Sequence, residues 1–259
     1  MITISIISLK GGVAKTTTAV NMAYTPAAVH NKKVLIVDND KQGNASKAYK
    51  RYSTEDRNTI ARVMLEKNIN TAVIIKETDY KNINIIAANM DLLEANLGTI
   101  VDTGRQQQTR FKKALAALDY DYCIIDNVPD INMSIINALV MSDDVIVPVF
   151  IDQYSFYGLE ILLDQIAQVQ EDFNENLFFD GCLITQYQNN EVNNQGIEQL
   201  SKQRVPLFNQ RIRRTEKKVS ESTFAKKPLV EYSVRCGAAQ DYKKFVIEYL
   251  EGEDARSKV

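Results

Sequence analysis

Short runs of β-branched and other apolar residues alternate along this chain with segments whose apolar residues recur at helical spacing. In one such segment Phe111, Leu115 and Leu118 lie three, four and seven residues apart, which indicates a helix with one buried face. The predicted strands are Ile2–Ser8, Val34–Val37, Ile83–Ala87, Tyr122–Ile125, Val145–Val149 and Leu177–Thr185. Strands that alternate with helices form parallel βαβ units, and strands that are apolar throughout are buried on both faces. We therefore predict an α/β fold with a mostly parallel central sheet and helices on both faces.

The length of the chain, 259 residues, suits one large α/β domain. Since no Pro/Gly-rich linker and no internal repeat divides the chain, we expect a single domain over residues 1–259. A net charge of −2 argues against a protein that coats DNA with a globally basic surface. The longest apolar run has seven residues, Val145–Ile151, whereas a membrane-spanning helix needs about 20, so we expect no such helix.

Cysteine and histidine usage excludes two classes of site. Cys123, Cys182 and Cys236 lie at least 54 residues apart, and this spacing argues against a zinc ribbon or the paired cluster cysteines of iron–sulfur carriers. His30 is the only histidine, and the chain has no G-x-S-x-G turn, so we expect no serine–histidine chemistry.

The segment Ser8–Thr18 follows a predicted strand directly and opens a predicted helix. At such a junction, backbone N–H groups and the helix N-terminus can bind phosphate. Gly11 and Gly12 allow the backbone to approach an anion closely. The Lys15 ammonium group can reach the outer phosphates, and the Thr16 hydroxyl can bind Mg²⁺. The segment therefore predicts a phosphate-binding loop.

The strict pattern G-x-x-x-x-G-K-[ST] is not met, because Leu9 and Ala14 occupy both glycine positions. Taken alone, the segment is also consistent with an ordinary Gly-Gly turn between a strand and a helix. The choice between the two interpretations therefore depends on other parts of the chain.

Three blocks along the chain occur in the order of one known family. Residues 10–17, KGGVAKTT, resemble the deviant Walker A loop of the ParA/MinD family of P-loop ATPases, whose usual form is KGGVGKTT. Residues 34–44, VLIVDNDKQGN, are similar to the family's D-x-D-P-Q-G-N box, and residues 122–129, YCIIDNVP, to its Walker B strand. The resemblance covers residues 1–160 and continues more weakly to about residue 230. The chain is thus identified as similar to ParA/Soj-like members of this family.

The resemblance implies ATP and Mg²⁺ as cofactors. It assigns the nucleotide contacts to Lys10, Gly11, Gly12, Val13, Ala14, Lys15, Thr16 and Thr17. It assigns the metal site to Thr16, Asp126 and Asp38.

The same resemblance implies the catalytic roles. Lys15 supplies a cation within its own protomer, and Lys10 reaches the phosphates of a second protomer in an ATP-dependent homodimer. Asp40 orients the attacking water, with Asp38 nearby. These roles suit phosphoryl transfer, which depends mostly on positioning and charge stabilisation. For each aspartate taken singly, the alternative is a strand-end cap or a turn residue.

Three departures from the family pattern bear on this site. Ala14 replaces a glycine, and we expect phosphate binding to survive if the backbone there is right-handed. Lys41 replaces a proline, and residues 128–130, VPD, replace P-P-S. Because these segments are expected to respond to nucleotide, we expect altered switching kinetics.

A separate feature is the basic segment from Ser201 to Pro228. This segment contains nine basic and two acidic residues, a net charge of +7, so the rest of the chain carries −9. Such segregation is typical of a surface that binds the phosphate backbone of nucleic acid. The alternative is a solvated helix with pairs such as Lys217–Glu221. The candidate DNA-binding residues are Arg211, Arg213, Arg214, Lys217 and Lys218.

The family resemblance implies an ATPase for plasmid or chromosome partition. ATP–Mg²⁺ closes the homodimer, the dimer binds DNA non-specifically, and a ParB-like centromere-binding protein stimulates hydrolysis to ADP and phosphate. Only nine residues precede Lys10, so we expect the short, Soj-like type without an N-terminal helix-turn-helix domain. We expect the protein in the cytoplasm, associated with the nucleoid.

Two alternatives use the same nucleotide cycle. The protein could position another cargo, such as a conjugation or regulatory complex, and the residues do not distinguish cargoes. A MinD-like membrane ATPase requires a basic amphipathic C-terminal helix. The last periodic segment instead carries bulky core-type residues such as Tyr242 and Phe245 and ends in an acidic stretch, so we expect no membrane partner.

Pro26 lies inside the predicted first helix, Thr16 to about Val29. Because a proline in a helix interior is unfavourable by roughly 3 kcal/mol, we expect this helix to kink or end near Thr25.

Overall fold

The computed structural model of the protein describes residues 1–152 and 155–256. One seven-stranded sheet has the order β3-β4-β2-β5-β1-β6-β7. Its strands are β1 (Ile2–Ile6), β2 (Val34–Asn39), β3 (Ile75–Glu77), β4 (Ile83–Ile86), β5 (Tyr122–Asn127), β6 (Asp144–Val149) and β7 (Phe178–Ile184). Neighbouring strands are parallel except β3, which pairs antiparallel with β4 at one edge. The predicted α/β fold with a mostly parallel sheet is confirmed.

Helices connect the strands. They are α1 (Lys15–His30), α2 (Asn44–Ala48), α3 (Ile60–Leu65), α4 (Asp91–Val101), α5 (Arg110–Leu115), α6 (Met133–Met141), α7 (Ser155–Asp172), α8 (Glu191–Lys202), α9 (Glu216–Phe224), α10 (Leu229–Tyr232) and α11 (Gly237–Arg256), with a 3₁₀ turn at Thr71–Val73. In the described ranges, every helix is too short or too polar to span a bilayer.

Both faces of the sheet are buried under helices, as the apolar strands predict. Ile36 of β2 packs in one apolar cluster with α1 and α11, and its neighbour Val37 packs in a second cluster with α3, α4 and α6. A third cluster joins β6 and β7 to α7. The apolar side chains of α11, among them Tyr242 and Phe245, lie in the first cluster. The terminal helix therefore packs on the body of the protein.

The register of the central strands aligns the ends that carry polar residues. Asp38 at the end of β2 is the direct neighbour of Asp126 at the end of β5, and Asn39 is the neighbour of Asn127. Ile6, the last residue of β1, lies beside Asp126 on the other side. The carboxyl ends of β1, β2 and β5 therefore meet at one point, where α1 begins.

Helix α1, predicted to kink or end near Thr25, does not end there but continues through Pro26 to His30. The Thr25 hydroxyl donates a hydrogen bond to the Asn21 carbonyl, which supplies a side-chain bond just before the proline. Pro26 and its neighbours are buried against the sheet. We infer that this packing outweighs the unfavourable effect of the proline.

Candidate nucleotide-binding site

The loop between β1 and α1 has two residues in the left-handed conformation. Gly12 has a φ of 74° and Ala14 a φ of 64°. Ala14 is the N-cap residue of α1. Because its backbone is left-handed, the right-handed backbone on which the expectation of phosphate binding depended is not present. A left-handed conformation is unfavourable by roughly 1–2 kcal/mol for a residue with a Cβ. This strain lies beside the predicted phosphate position.

Three carbonyl groups of the loop accept side-chain hydrogen bonds. The Thr185 hydroxyl donates to the Val13 carbonyl at 3.1 Å, and the Gln186 amide donates to the Gly12 carbonyl at 2.7 Å. The Lys15 ammonium group donates to the Lys10 carbonyl at 2.9 Å. Thr185 and Gln186 follow β7 directly, and sequence reasoning did not identify them. Their position just after a strand at the carboxyl edge of the sheet is the signal that could have found them.

Lys15 is buried at the first turn of α1. Burial lowers the pKa of its ammonium group, while the carboxylates of Asp126 and Asp40 act in the opposite direction. One cation therefore faces carboxylates from two different strand ends.

Asp38 and Asp126 are fully buried side by side. Burial raises the pKa of Asp38 to about 7, although Ser46 donates hydrogen bonds to its Oδ2 from the backbone N–H at 2.7 Å and from the hydroxyl at 2.6 Å. Burial and the Asp38 charge raise the pKa of Asp126, and the neighbouring Thr16 side chain acts against that rise. Within the described ranges, neither oxygen of Asp126 has a hydrogen-bond partner of good geometry. A buried carboxylate without donors needs a counter-charge, so these residues fit a bound Mg²⁺.

Asp40 follows β2 and is buried at the same edge. Its backbone N–H donates to Asp38 Oδ1 at 3.2 Å, and its own Oδ1 accepts from the Gln42 N–H at 2.9 Å. These bonds fix the turn that places Asp40 next to Asp38.

Lys10 forms an ion pair with Asp152, and its ammonium nitrogen lies 5.1 Å from the centre of the Phe150 ring. Both partners follow β6 in the same protomer. In this structure Lys10 is therefore held inside its own protomer.

A cavity of about 330 Å³ opens beside the loop. Gly12, Ala14 and Thr17 line one side of it, and residues 212–216 line the other. Two of the predicted DNA-binding residues, Arg213 and Arg214, therefore lie next to the phosphate loop.

Most of the predicted DNA-binding residues have partners on the protein itself. Arg213 makes two hydrogen bonds of 2.7 Å to the buried Asp241, Arg214 pairs with Glu216, and Lys218 pairs with Glu221 at 2.7 Å. Arg211 stacks on the Tyr187 ring at 5.0 Å.

The ion pair Lys217–Glu221, which helical spacing suggested, is not formed among the described residues. Glu221 pairs with Lys218 instead. Lys217 is exposed, with no ion pair in the described ranges. DNA binding by these five residues stays a prediction.

Comparison with known proteins identifies the family. The profile of a family described as an AAA domain matches residues 1–179. The sporulation initiation inhibitor protein Soj of Bacillus subtilis is 32% identical over 246 residues, which cover 92% of this chain and 94% of Soj. This chain belongs to the ParA/Soj family of P-loop ATPases. Another relative, the chromosome partitioning protein ParA of Caulobacter vibrioides, is 30% identical over 98% of this chain and 95% of its own length.

A solved structure shares the fold of this chain. A Mycobacterium smegmatis protein described as cobyrinic acid a,c-diamide synthase, solved with a bound ATP analogue and magnesium, superposes with a TM-score of 0.84 at 25% identity. The match covers 98% of this chain and 96% of that protein. The shared fold therefore extends over nearly all of the chain.

Proposed function

We propose that this ParA/Soj family member is a partition ATPase that binds ATP–Mg²⁺ at the carboxyl ends of β1, β2 and β5. The observation that carries the proposal is the meeting of Asp38 and Asp126 beside Lys15 under a phosphate-type loop. Family membership supports the nucleotide and the metal, since a related structure contains an ATP analogue and magnesium. Residues 1–259 act as one ATPase unit in this proposal.

Each residue of the site has a defined part in hydrolysis. Mg²⁺, when bound, neutralises charge on the phosphates, and Thr16, Asp126 and Asp38 would hold it. Lys15 binds the outer phosphates, and the loop residues 10–17 surround them. The cavity along residues 212–216 receives the remainder of the nucleotide. Asp40 orients the water that attacks the terminal phosphate, because it lies at the same strand edge and is fixed by its bonds to Asp38 and Gln42.

Dimerisation and DNA binding complete the proposed cycle. Two ATP-bound copies associate, and Lys10 leaves Asp152 to contact the phosphates of the second copy. The dimer then binds DNA non-specifically on the nucleoid, through the basic segment and above all through Arg211 and Lys217. A ParB-like centromere-binding protein stimulates hydrolysis to ADP and phosphate, which releases the DNA.

DNA binding in a salt series tests this function directly. We expect wild-type protein to bind a non-specific duplex with ATP–Mg²⁺ and not with ADP, with affinity that falls steeply as salt rises. Asp40→Ala is expected to retain ATP and strengthen binding, whereas Lys15→Ala is expected to abolish it. Binding that is absent or identical with both nucleotides contradicts the partition proposal.

A matched pair of lysine variants tests the DNA surface. Lys217→Ala removes an exposed charge from α9, and Lys112→Ala removes one from α5, which packs on the opposite face of the sheet. We expect only Lys217→Ala to weaken DNA binding and reduce the salt slope. Equal effects of the two variants would assign DNA binding to another surface.

A further inference from the structure

Helix α4 exposes an apolar stripe that the proposed nucleotide site does not use. The α4 stripe consists of Met90, Leu93, Leu97, Ile100 and Val101, which are between 43% and 76% exposed. The opposite side of the helix is buried, and Asn96 on that side accepts a hydrogen bond from the Ser134 N–H at 2.8 Å. The helix is therefore held firmly while its outer side stays apolar. Contiguous exposed apolar side chains of this kind are candidates for an interaction surface.

The α4 stripe is continuous with the segments that follow the two strand-end aspartates. A groove of about 170 Å³ is lined by Leu93, Leu97 and Ile100 on the helix, and by Lys41, Val128 and Asp130 opposite them. Lys41 follows Asp40 directly, and Val128 lies two residues after Asp126. A backbone shift at Asp40 or Asp126 on nucleotide binding would therefore reach the wall of this groove within one or two residues.

The charges around the groove indicate what kind of surface fits it. Lys41 and Asp130 line the groove, and Glu94 follows Leu93 on the helix. None of these three residues has an ion pair within residues 1–152 and 155–256. A two-fold symmetric interface places one patch against the same patch of a second copy, so the patch must complement itself. An apolar centre bordered by one cation and two carboxylates has that property. A partner whose surface is entirely acidic or entirely basic would leave either the carboxylates or Lys41 without an opposite charge.

We propose that a second copy of this chain covers the α4 stripe when the ATP-bound dimer forms. The inference rests on the ATP-dependent homodimer of the proposed function and adds the surface that closes it. Because the groove wall includes Lys41 and Val128, the stripe contacts the second copy only when these segments take their ATP-bound positions. The apolar contact then supplies association energy, while Lys41 meets a carboxylate of the opposite copy.

Dimer dissociation constants of matched variants test the proposal. Leu97→Glu places a charge in the stripe, and Val192→Glu does the same at a similarly exposed position on α8 (61% and 62% exposed). We expect Leu97→Glu to weaken the ATP–Mg²⁺ dimer at least 10-fold in sedimentation equilibrium, with binding of a fluorescent ATP analogue to the monomer unchanged. Val192→Glu is expected to match wild type. A Leu97→Glu protein that dimerises like wild type overturns the proposal.

Thiol protection gives a second test that does not depend on a disruptive charge. The three native cysteines are buried, so a maleimide reports on Leu97→Cys or Val192→Cys alone. We expect ATP–Mg²⁺ to slow labelling of Leu97→Cys at least 10-fold relative to ADP, and to leave Val192→Cys unaffected. Protection that appears only after addition of a centromere-binding protein assigns the stripe to that protein and overturns the inference.

The two tests separate this inference from the proposed function. If wild-type protein stays monomeric with ATP–Mg²⁺, the ATP-dependent dimer itself fails. If wild type dimerises but Leu97→Cys stays reactive, only the assignment of the α4 stripe fails.

Discussion

Lys10 is paired with Asp152 in its own protomer and lies over the Phe150 ring. In the proposed cycle Lys10 contacts the phosphates of a second protomer, so dimerisation would have to break this ion pair. The pair is partly exposed, and such pairs contribute about 0–1 kcal/mol. The intramolecular contact thus opposes dimer formation by a modest amount.

We expect Asp152→Asn to dimerise at lower protein concentration than wild type, by up to about 5-fold in the ATP–Mg²⁺ dissociation constant. The reason is that Lys10 no longer gives up the Asp152 carboxylate on association. Sedimentation equilibrium measures the effect, with the exposed Asp164→Asn on α7 as the control. An unchanged constant for Asp152→Asn would show that Lys10 does not move on dimerisation.

Ala14→Gly is expected to raise the free energy of unfolding by roughly 0.5–1 kcal/mol, because glycine tolerates the φ of 64° found there. Thermal unfolding without nucleotide measures the change. Ala116→Gly is the control, since Ala116 ends α5 with a φ of −63° and gains nothing from glycine. Equal destabilisation by both variants would contradict the left-handed conformation at Ala14.

Gln186→Ala is expected to weaken ATP binding by about 2- to 10-fold, since one hydrogen bond contributes about 0.5–1.5 kcal/mol. The variant frees the Gly12 carbonyl and loosens the phosphate loop, while the half-buried side chain adds little to folding stability. Isothermal titration with ATP–Mg²⁺ measures the affinity. Gln188→Ala lies two residues further along the same exposed loop and should bind as wild type does.

Arg213→Ala is expected to destabilise the fold by about 1–3 kcal/mol, because Asp241 is buried and accepts three hydrogen bonds from Arg213. Two of these come from the guanidinium group that alanine removes. Chemical denaturation measures the loss, and Arg214→Ala, whose partner Glu216 is exposed, should change stability by less than about 0.5 kcal/mol. A loss of DNA binding in Arg213→Ala must therefore be compared with its loss of folded protein. Equal stabilities for Arg213→Ala and Arg214→Ala would contradict the structural role of Arg213.

The pH dependence of stability is expected to include a contribution from Asp180 in β7. Burial, the nearby Asp144 and Glu248 raise the pKa of Asp180 to about 6. Arg256 acts in the opposite direction. The folded protein therefore binds a proton that the unfolded chain has released, so this stabilisation is present below about pH 4 and is lost as pH rises to about 6.

Asp180→Asn removes that titration while keeping the shape of the side chain. Between pH 4 and pH 6, we expect wild type to lose on the order of 1 kcal/mol relative to Asp180→Asn. Urea unfolding at both pH values measures the difference. A constant difference between the two proteins across this range would refute the raised pKa.

The sequence predicts six strands from short runs of β-branched and other apolar residues, and all six are present. It does not predict β3, because Ile75–Glu77 is a short, partly exposed edge strand with one apolar residue. The approach of Asp38 to Asp126 follows from the order β2-β5, which periodicity along the chain does not specify. Sequence reasoning therefore proposes the residues of the candidate site through motifs, and the structure shows which of these residues are neighbours.

Other features of the site depend on distant contacts that a local pattern does not contain. The left-handed conformation of Ala14 is imposed by the junction of β1 with α1, although alanine itself favours a right-handed backbone. In the sequence, Arg213 lacks a nearby acidic partner, because Asp241, with which it pairs, lies 28 residues further along the chain. Charge counted along a sequence thus overestimates the charge that the folded surface presents.

The two side chains that hold the Gly12 and Val13 carbonyls come from residues 185 and 186, more than 170 positions later. During synthesis, a chain that has emerged only as far as β6 already contains every residue of its phosphate loop, yet it lacks these two supports. We expect the loop to reach its final form only after β7 has been translated and has joined the edge of the sheet. The capacity to bind nucleotide is then expected to mature well after the loop between β1 and α1 has left the ribosome.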